Sequence, residues 1–296
     1  MPKHIVELPP DEKINLVRTD IPSDFHGKND FYFQKNYLGQ LRHPSGKYYS
    51  NHARRRYYHP DERKKHLAVG QWVGYRWVIQ NYSEENDFIF DPTCGSGTAL
   101  VEAYNNKRHS AGIELEFFEV ALMNTIHQQQ TRPMDRNYQM NLKRGSALSD
   151  DFPDIEPTLI INGPPYPILR NSNLSSDIHE STWERDVVYD QNENLGNMKD
   201  GEQYWSSLKK IYTKCFDILK PNGYLCILIK DPIRDKKYYP LSEKVADLVE
   251  QIGFVTKGSF LHRHIPSTLF MHTYPKKFPE VSVPLYQTGM LYQKIS

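Results

Sequence analysis

The sequence predicts an α/β fold, a doubly wound, mostly parallel sheet with a C-terminal antiparallel strand pair. Three observations predict it. Short apolar runs such as FIF at 88–90 and LIIN at 159–162 alternate with longer stretches of helical spacing. The first such unit, DFIFDPTCGSGTALVEAYNN followed by HSAGIELE, has a crossover long enough to require parallel pairing of its two strands. Two last strand-like runs, near FVTKGSFL and VPLYQTGMLYQKI, follow one another with no helical pattern between them.

Taken in order, residues 1–47 are polar and broken by Pro9, Pro10, Pro22 and Pro44, which reads as an irregular N-terminal arm. The remainder, 48–296, reads as one domain. ERKKHLAVGQWVGYRWVIQN places Leu67, Val69, Val73, Trp77 and Val78 at helical intervals over 62–81. A strand over 87–90, a glycine-rich turn, a helix starting near 96–99, a strand ending at Glu114 and a helix to about 130 follow. A third strand falls within 139–147 and a fourth at 158–162. The polar stretch 167–201 is long for a plain connection, so it reads as a lid or a target-recognition insertion, with Trp183 and Tyr189 its notable aromatics. A helix over 203–219 stops at Lys220-Pro221-Asn222-Gly223; the strand YLCILIKD and the helix LSEKVADLVEQIG complete the α/β alternation.

Composition excludes several classes. Lys and Arg number 37 against 36 Asp and Glu, so net charge alone points to no polyanionic partner. The distribution is more informative: Arg54, Arg55, Arg56, Arg63, Lys64 and Lys65 lie near Tyr48, Tyr49, Tyr57 and Tyr58. That interleaving suits a phosphate backbone and displaced bases, and equally an exposed helix flank with core tyrosines. Cys94, Cys215 and Cys226 form no disulfide framework, and the histidines have no ligand spacing, so a reducing, cytoplasmic setting and no metal are expected. No stretch reaches the roughly 18 apolar residues of a membrane span.

Two motifs hold the chemistry. In FDPTCGSGTAL the turn at Gly95 and Gly97 follows a strand directly, where glycines permit positive φ and close approach of a ligand. The Gly-Lys-Ser/Thr ending of a phosphate loop is missing, as is the full three-glycine dinucleotide spacing. Glu114, closing the second strand, can accept both hydroxyls of a ribose, and Asp91, closing the first, can meet an ammonium group. The implied ligand has an adenosine and a cation. In TLIINGPPYP, a buried strand runs into Gly163-Pro164-Pro165-Tyr166, a stiff segment at the carboxyl end of the sheet, where open α/β folds place ligands.

DPTCGSGTALVEA, GIELE and LIINGPPYP together resemble the S-adenosylmethionine-dependent amino-methyltransferases that act on DNA bases. The tyrosine-rich segment from His52 to the glycine loop, and IKDPIRDKKYYPLSEKVADLVEQIGF further on, resemble the cytosine-N4 branch more than the adenine-N6 branch. The resemblance spans roughly 48–265. It implies a Rossmann-like methyltransferase sheet, S-adenosylmethionine as cofactor and double-stranded DNA as partner, with RNA or protein as minor alternatives. It leaves monomer or homodimer open. It places Asp91, Pro92, Cys94, Gly95, Gly97 and Thr98 around the methionine part, Glu114 on the ribose, Leu115 against adenine, and Ser146 and Ala147 at the adenine edge. Asn162, Gly163, Pro164, Pro165 and Tyr166 would face the target base, with Tyr166 stacked on it after extrusion and Arg185, Asn192 and Asn194 available for base-edge contacts.

Two positions depart from the family pattern. Arg144-Gly145-Ser146-Ala147 has serine where the family commonly has aspartate, and Gly163 stands where it has Ser, Asn or Asp before Pro-Pro-Tyr. Asn162 could supply the missing acceptor if the glycine turns the backbone, although strand alternation sends it the other way. Three accounts stay open: an active enzyme using Asn162 or backbone acceptors, one of altered activity, and a DNA-binding protein without catalysis.

Overall fold

Apolar runs buried on both faces, as parallel strands require, form the middle of the molecule in a computed structural model. It describes residues 34–35, 41–42, 58–59, 70, 72–131, 133, 137–150, 152–167, 191–234, 237–263 and 286–295. The strands of the main sheet are Phe88–Asp91 (β1), His109–Glu114 (β2), Met140–Arg144 (β3), Leu159–Asn162 (β4), Tyr224–Ile229 (β5), Val255–Arg263 (β6) and Tyr286–Gln293 (β7). Their spatial order is β6-β7-β5-β4-β1-β2-β3. β1 pairs in parallel with β2 and β4, and β7 runs antiparallel to both β5 and β6. This is the expected doubly wound sheet with its antiparallel C-terminal pair; the expected strands and later helices recur within a few residues, while of the helix expected over 62–81 the part from Trp72 on is helical and residues 62–69 and 71 lie outside the described residues. Two-residue ladders at 233–234 and 237–238, and a 3-10 turn at Leu195–Asn197, were not expected.

Helices cover both faces. Trp72–Tyr82 (α1), Thr98–Asn105 (α2) and Phe118–Thr131 (α3) lie on one side, where Trp77, Leu100 and Ala121 pack with Leu159, Ile161 and Leu228. Glu202–Ile218 (α4) and Leu241–Ile252 (α5) lie on the other, where Leu208, Tyr212 and Val245 pack with Phe90, Ile160 and Ile227. Alternation along β4 therefore sends Leu159 and Ile161 to the first face and Ile160 to the second. Lys294 anchors the far end of α4 by donating to the carbonyls of Phe216 and Leu219 at 2.7 and 2.8 Å, a favourable place for a cation. No helix among the described residues is long and apolar enough to cross a membrane.

After β1 the chain builds β2 and β3 on one side of that strand, then returns to build β4 on the other. The crevice at the carboxyl ends of β1 and β4 is the place where such sheets bind ligands. The helices beside it are held by a buried acid: Glu102 on α2, with no exposed surface, accepts from the Tyr58 hydroxyl at 2.9 Å and the Arg76 Nε at 2.8 Å. Tyr58 is thus a core tyrosine, one of the two readings that its place beside the arginines left open. Cutting Glu102 back removes the shared acceptor of two groups brought in from distant segments. Glu102→Ala is expected to lower unfolding free energy by about 3 to 5 kcal/mol and Glu102→Gln by less, read from urea titrations; a loss below about 1 kcal/mol would show that the pair is a surface-like contact.

Candidate functional site

The turn after β1 has the backbone its glycines predict. Gly95 has φ 56° and Gly97 φ 76°, both in the left-handed region that favours glycine. A Cβ on Gly97 would stand 3.4 Å from Ala121 of α3, so the loop lies against that helix. It is tied down further by Cys94 N donating to the Ile113 carbonyl at 3.0 Å and by Asn124 Nδ2 donating to the Ser96 carbonyl at 2.8 Å. Cys94 is buried in the core beneath the loop, and burial pushes its thiol well up.

Two buried carboxylates form the floor of the crevice. Glu114 Oε2 accepts from Gly95 N at 2.7 Å, and its Oε1 accepts from Glu116 N and Phe117 N, each at 2.9 Å. The acid at the end of β2 therefore brackets the glycine loop against the start of α3. Burial pushes its pKa up, and the three N–H donors pull it back. Asp91 Oδ1 accepts from Thr93 N at 3.1 Å and from the Asn162 amide at 2.9 Å. Burial pushes Asp91 up to about 7; those two hydrogen bonds oppose the rise, and the nearby Glu114 charge adds to it. An uncompensated pair of buried acids favours a cationic ligand.

Beside this floor lies a cleft lined by Pro92, Thr93, Glu114, Leu115, Ser146 and Ala147, with Pro165, Asn194 and Leu195 along its margin. Five of the residues expected to hold the cofactor thus line one space, Pro92, Glu114, Leu115, Ser146 and Ala147. Asp91, Cys94, Gly95, Gly97 and Thr98 form the loop and floor behind them. Ser146 Oγ accepts from Leu148 N at 3.1 Å, so the serine that replaces the family's aspartate also closes a local turn. Asn194 caps the 3-10 turn, its Oδ1 accepting from Gly196 N at 2.9 Å.

The Pro-Pro-Tyr segment is fixed from below. Asn162 donates its amide to Asp91 Oδ1 and, at 2.7 Å, to Thr93 Oγ1, while its carbonyl accepts from the Tyr212 hydroxyl at 2.9 Å. Asn162 is 1% exposed and its side chain lies on the α4 face, the direction that strand alternation predicts. Tyr204 donates to the Pro165 carbonyl at 2.9 Å, and Tyr166 Oη accepts from Lys230 N at 2.6 Å. Pro164 and Pro167 are buried, and Pro165 and Tyr166 are partly exposed.

Sequence reading missed Thr93, Tyr204 and Tyr212. The one signal available was that tyrosines on the buried face of an amphipathic helix require partners for their hydroxyls. Arg54, Arg55, Arg56, Arg63, Lys64 and Lys65, together with Tyr48, Tyr49, Tyr57, Trp183, Arg185 and Tyr189, lie outside the described residues. So does most of the 167–201 insertion.

A family model described as DNA methylase matches residues 20–124, the part of the chain that contains Asp91, the glycine loop and Glu114. Comparison with curated proteins gives no match. Among solved structures, the chain is similar to a methyltransferase from Pyrococcus furiosus, with 13% identity over 77% of this chain and 85% of that one and a TM-score of 0.45. A SAM-dependent methyltransferase from Methanosarcina mazei gives 13% identity over 74% and 97%, also at 0.45. TrmN from Thermus thermophilus gives 14% over 79% and 52%, again at 0.45. The fold assignment rests on strand order and not on these scores. The methylase match covers the glycine loop and both acids, the residues that the sequence resemblance places around S-adenosylmethionine, so over this part the chain is similar to DNA methylases.

Proposed function

We propose that the protein methylates the exocyclic amine of a base extruded from double-stranded DNA, with cytosine N4 as the target. The observation that supports this most is the shared margin of cleft and Pro-Pro-Tyr segment: Pro165 lines the cofactor cleft, and Asn162 ties the same segment to Asp91. S-adenosylmethionine supplies an activated methyl group as a sulfonium. Glu114 would hold the ribose, Asp91 the amino group of the methionine part, and Leu115, Ser146 and Ala147 the adenine. Cytosine is favoured over adenine by Pro167 after Tyr166 and by the segment before the glycine loop, both on family resemblance.

An exocyclic amine is a weak nucleophile because its lone pair is conjugated with the ring. Acceptors aimed at its protons favour a tetrahedral nitrogen and stabilise the charge that develops there. The Pro164 carbonyl would be one such acceptor, on a segment that needs little ordering because Tyr204 and Lys230 already fix it. Tyr166, its hydroxyl held by the Lys230 amide, would offer a ring for stacking on the extruded base. The Arg54–Lys65 cluster would contact phosphates.

Two outcomes are expected. Incubation with methyl-labelled cofactor and duplex DNA, followed by digestion and nucleoside mass measurement, yields N4-methylcytosine; N6-methyladenine, or label in RNA or protein alone, would redirect the assignment. The second concerns pH. With Asp91 raised to about 7 from an ordinary 3.8, the apo protein keeps a proton that the unfolded chain releases. This group's contribution to apo stability is therefore full below its unfolded value and is lost as pH rises through about 7. Cofactor affinity runs the opposite way, because a cation binds the ionised acid. Calorimetric titration should show S-adenosylmethionine binding about tenfold tighter at pH 7.5 than at 6, and Asp91→Asn should flatten that dependence; a parallel pH profile in the variant would remove Asp91 from the cofactor.

A further inference from the structure

Gly163 is read from sequence as a place where a polar group is missing. Its backbone does not require glycine, since it is not among the residues with positive φ. What its lack of a side chain provides is room. A Cβ at Gly163 would lie 3.1 Å from the hydroxyl oxygen of Tyr75 and 3.4 Å from the Leu228 carbonyl. A Cβ on Gly70 would lie 2.8 Å from Cε2 of the same ring and 3.2 Å from its hydroxyl. The Tyr75 phenol thus passes through a slot between two glycines and brings its oxygen beside the position that a side chain at 163 would occupy. Tyr75 is 5% exposed and sits on α1, within the core face that contains Leu228 and Ile161.

From this geometry we infer that Tyr75 takes the place of the absent side chain before Pro-Pro-Tyr, its hydroxyl accepting a hydrogen bond from the target amine. The inference rests on the amine-methylation reading above. In the reaction, the amine lone pair forms the bond to the methyl carbon and the carbon–sulfur electron pair returns to sulfur as the thioether. The nitrogen then releases one proton to water. Tyr75 gains no proton; its oxygen supports the N–H dipole as positive charge grows on nitrogen, together with the Pro164 carbonyl. A hydroxyl from a helix thereby replaces a group from the strand end, and the glycine favours the exchange by removing a Cβ that would crowd it at 3.1 Å.

The test compares the unaltered protein with Tyr75→Phe, Gly163→Ser, Gly163→Ala and the Tyr75→Phe/Gly163→Ser double variant. Each is assayed with labelled S-adenosylmethionine and duplex DNA, with cofactor Kd measured by calorimetry and folding checked by thermal melting. Tyr75→Phe should lower kcat by about 10- to 100-fold with cofactor Kd within about twofold. Adding Gly163→Ser to it should recover about tenfold, since the serine enters space the phenol oxygen has left. Gly163→Ala, which only pushes that oxygen aside, should lower kcat about tenfold even if Tyr75→Phe fails to fold. Unchanged kcat in Tyr75→Phe or in Gly163→Ala would overturn the assignment while leaving the amine reading intact. So would a gain from Gly163→Ser in the unaltered background, because it would show the acceptor to be truly missing. No transfer by any of the five proteins, with cofactor bound, would overturn the amine reading and this assignment together.

Discussion

The primary amide of Asn162 is the interaction on which the site depends. It sits where the sheet order reverses, at the end of β4 beside the end of β1, and joins Asp91 and Thr93 to Tyr212 of α4. Such a group can be satisfied in a dry interior only if its donors and its acceptor find partners at fixed angles. Leaving one side unmade costs about 1 to 3 kcal/mol, so the amide holds three segments in a single register. The residue after it is Gly163, and then the two prolines begin. The floor of the crevice and the Pro-Pro-Tyr segment therefore share one point of attachment, and neither can shift without disturbing the other.

The electrostatics follow from the same arrangement. Asp91 and Glu114 are nearly solvent-free acids, burial raises both pKa values, and the Glu114 charge adds to the rise at Asp91. Backbone N–H groups and the Asn162 amide hold them without neutralising them. A floor of this kind is poorly matched to a pyrophosphate and well matched to a ligand with a positive end. The matched segment of the methylase model, 20–124, contains both acids and the glycine loop between them.

How much of this was legible in sequence depended on how local each feature is. β-strand runs, helix stops and the glycine turn are written in adjacent residues, so β1 to β7 and the loop at Gly95 and Gly97 were readable. Glu114 was readable because strand length fixes where the second strand ends. The partners of Asn162 were not, since Tyr212 and Asp91 meet it only after α4 has docked on the sheet. Tyr58 was ambiguous for a related reason: a tyrosine beside arginines fits a nucleic-acid contact as well as a core position until Glu102 is seen beneath it. Gly163 is the clearest case. Sequence registers the absence of a side chain at one position, whereas only the packed structure shows another residue's oxygen standing next to the space.

The most direct measurement of the central claim is a crystal structure of the protein with S-adenosylhomocysteine, the demethylated product. The account predicts the ribose hydroxyls on the Glu114 carboxylate, the amino group within hydrogen-bond reach of Asp91, and the adenine between Leu115 and the Ser146–Ala147 turn, with the sulfur turned toward Pro165. Ligand bound elsewhere, or bound in this cleft with Asp91 and Glu114 out of contact, would contradict it.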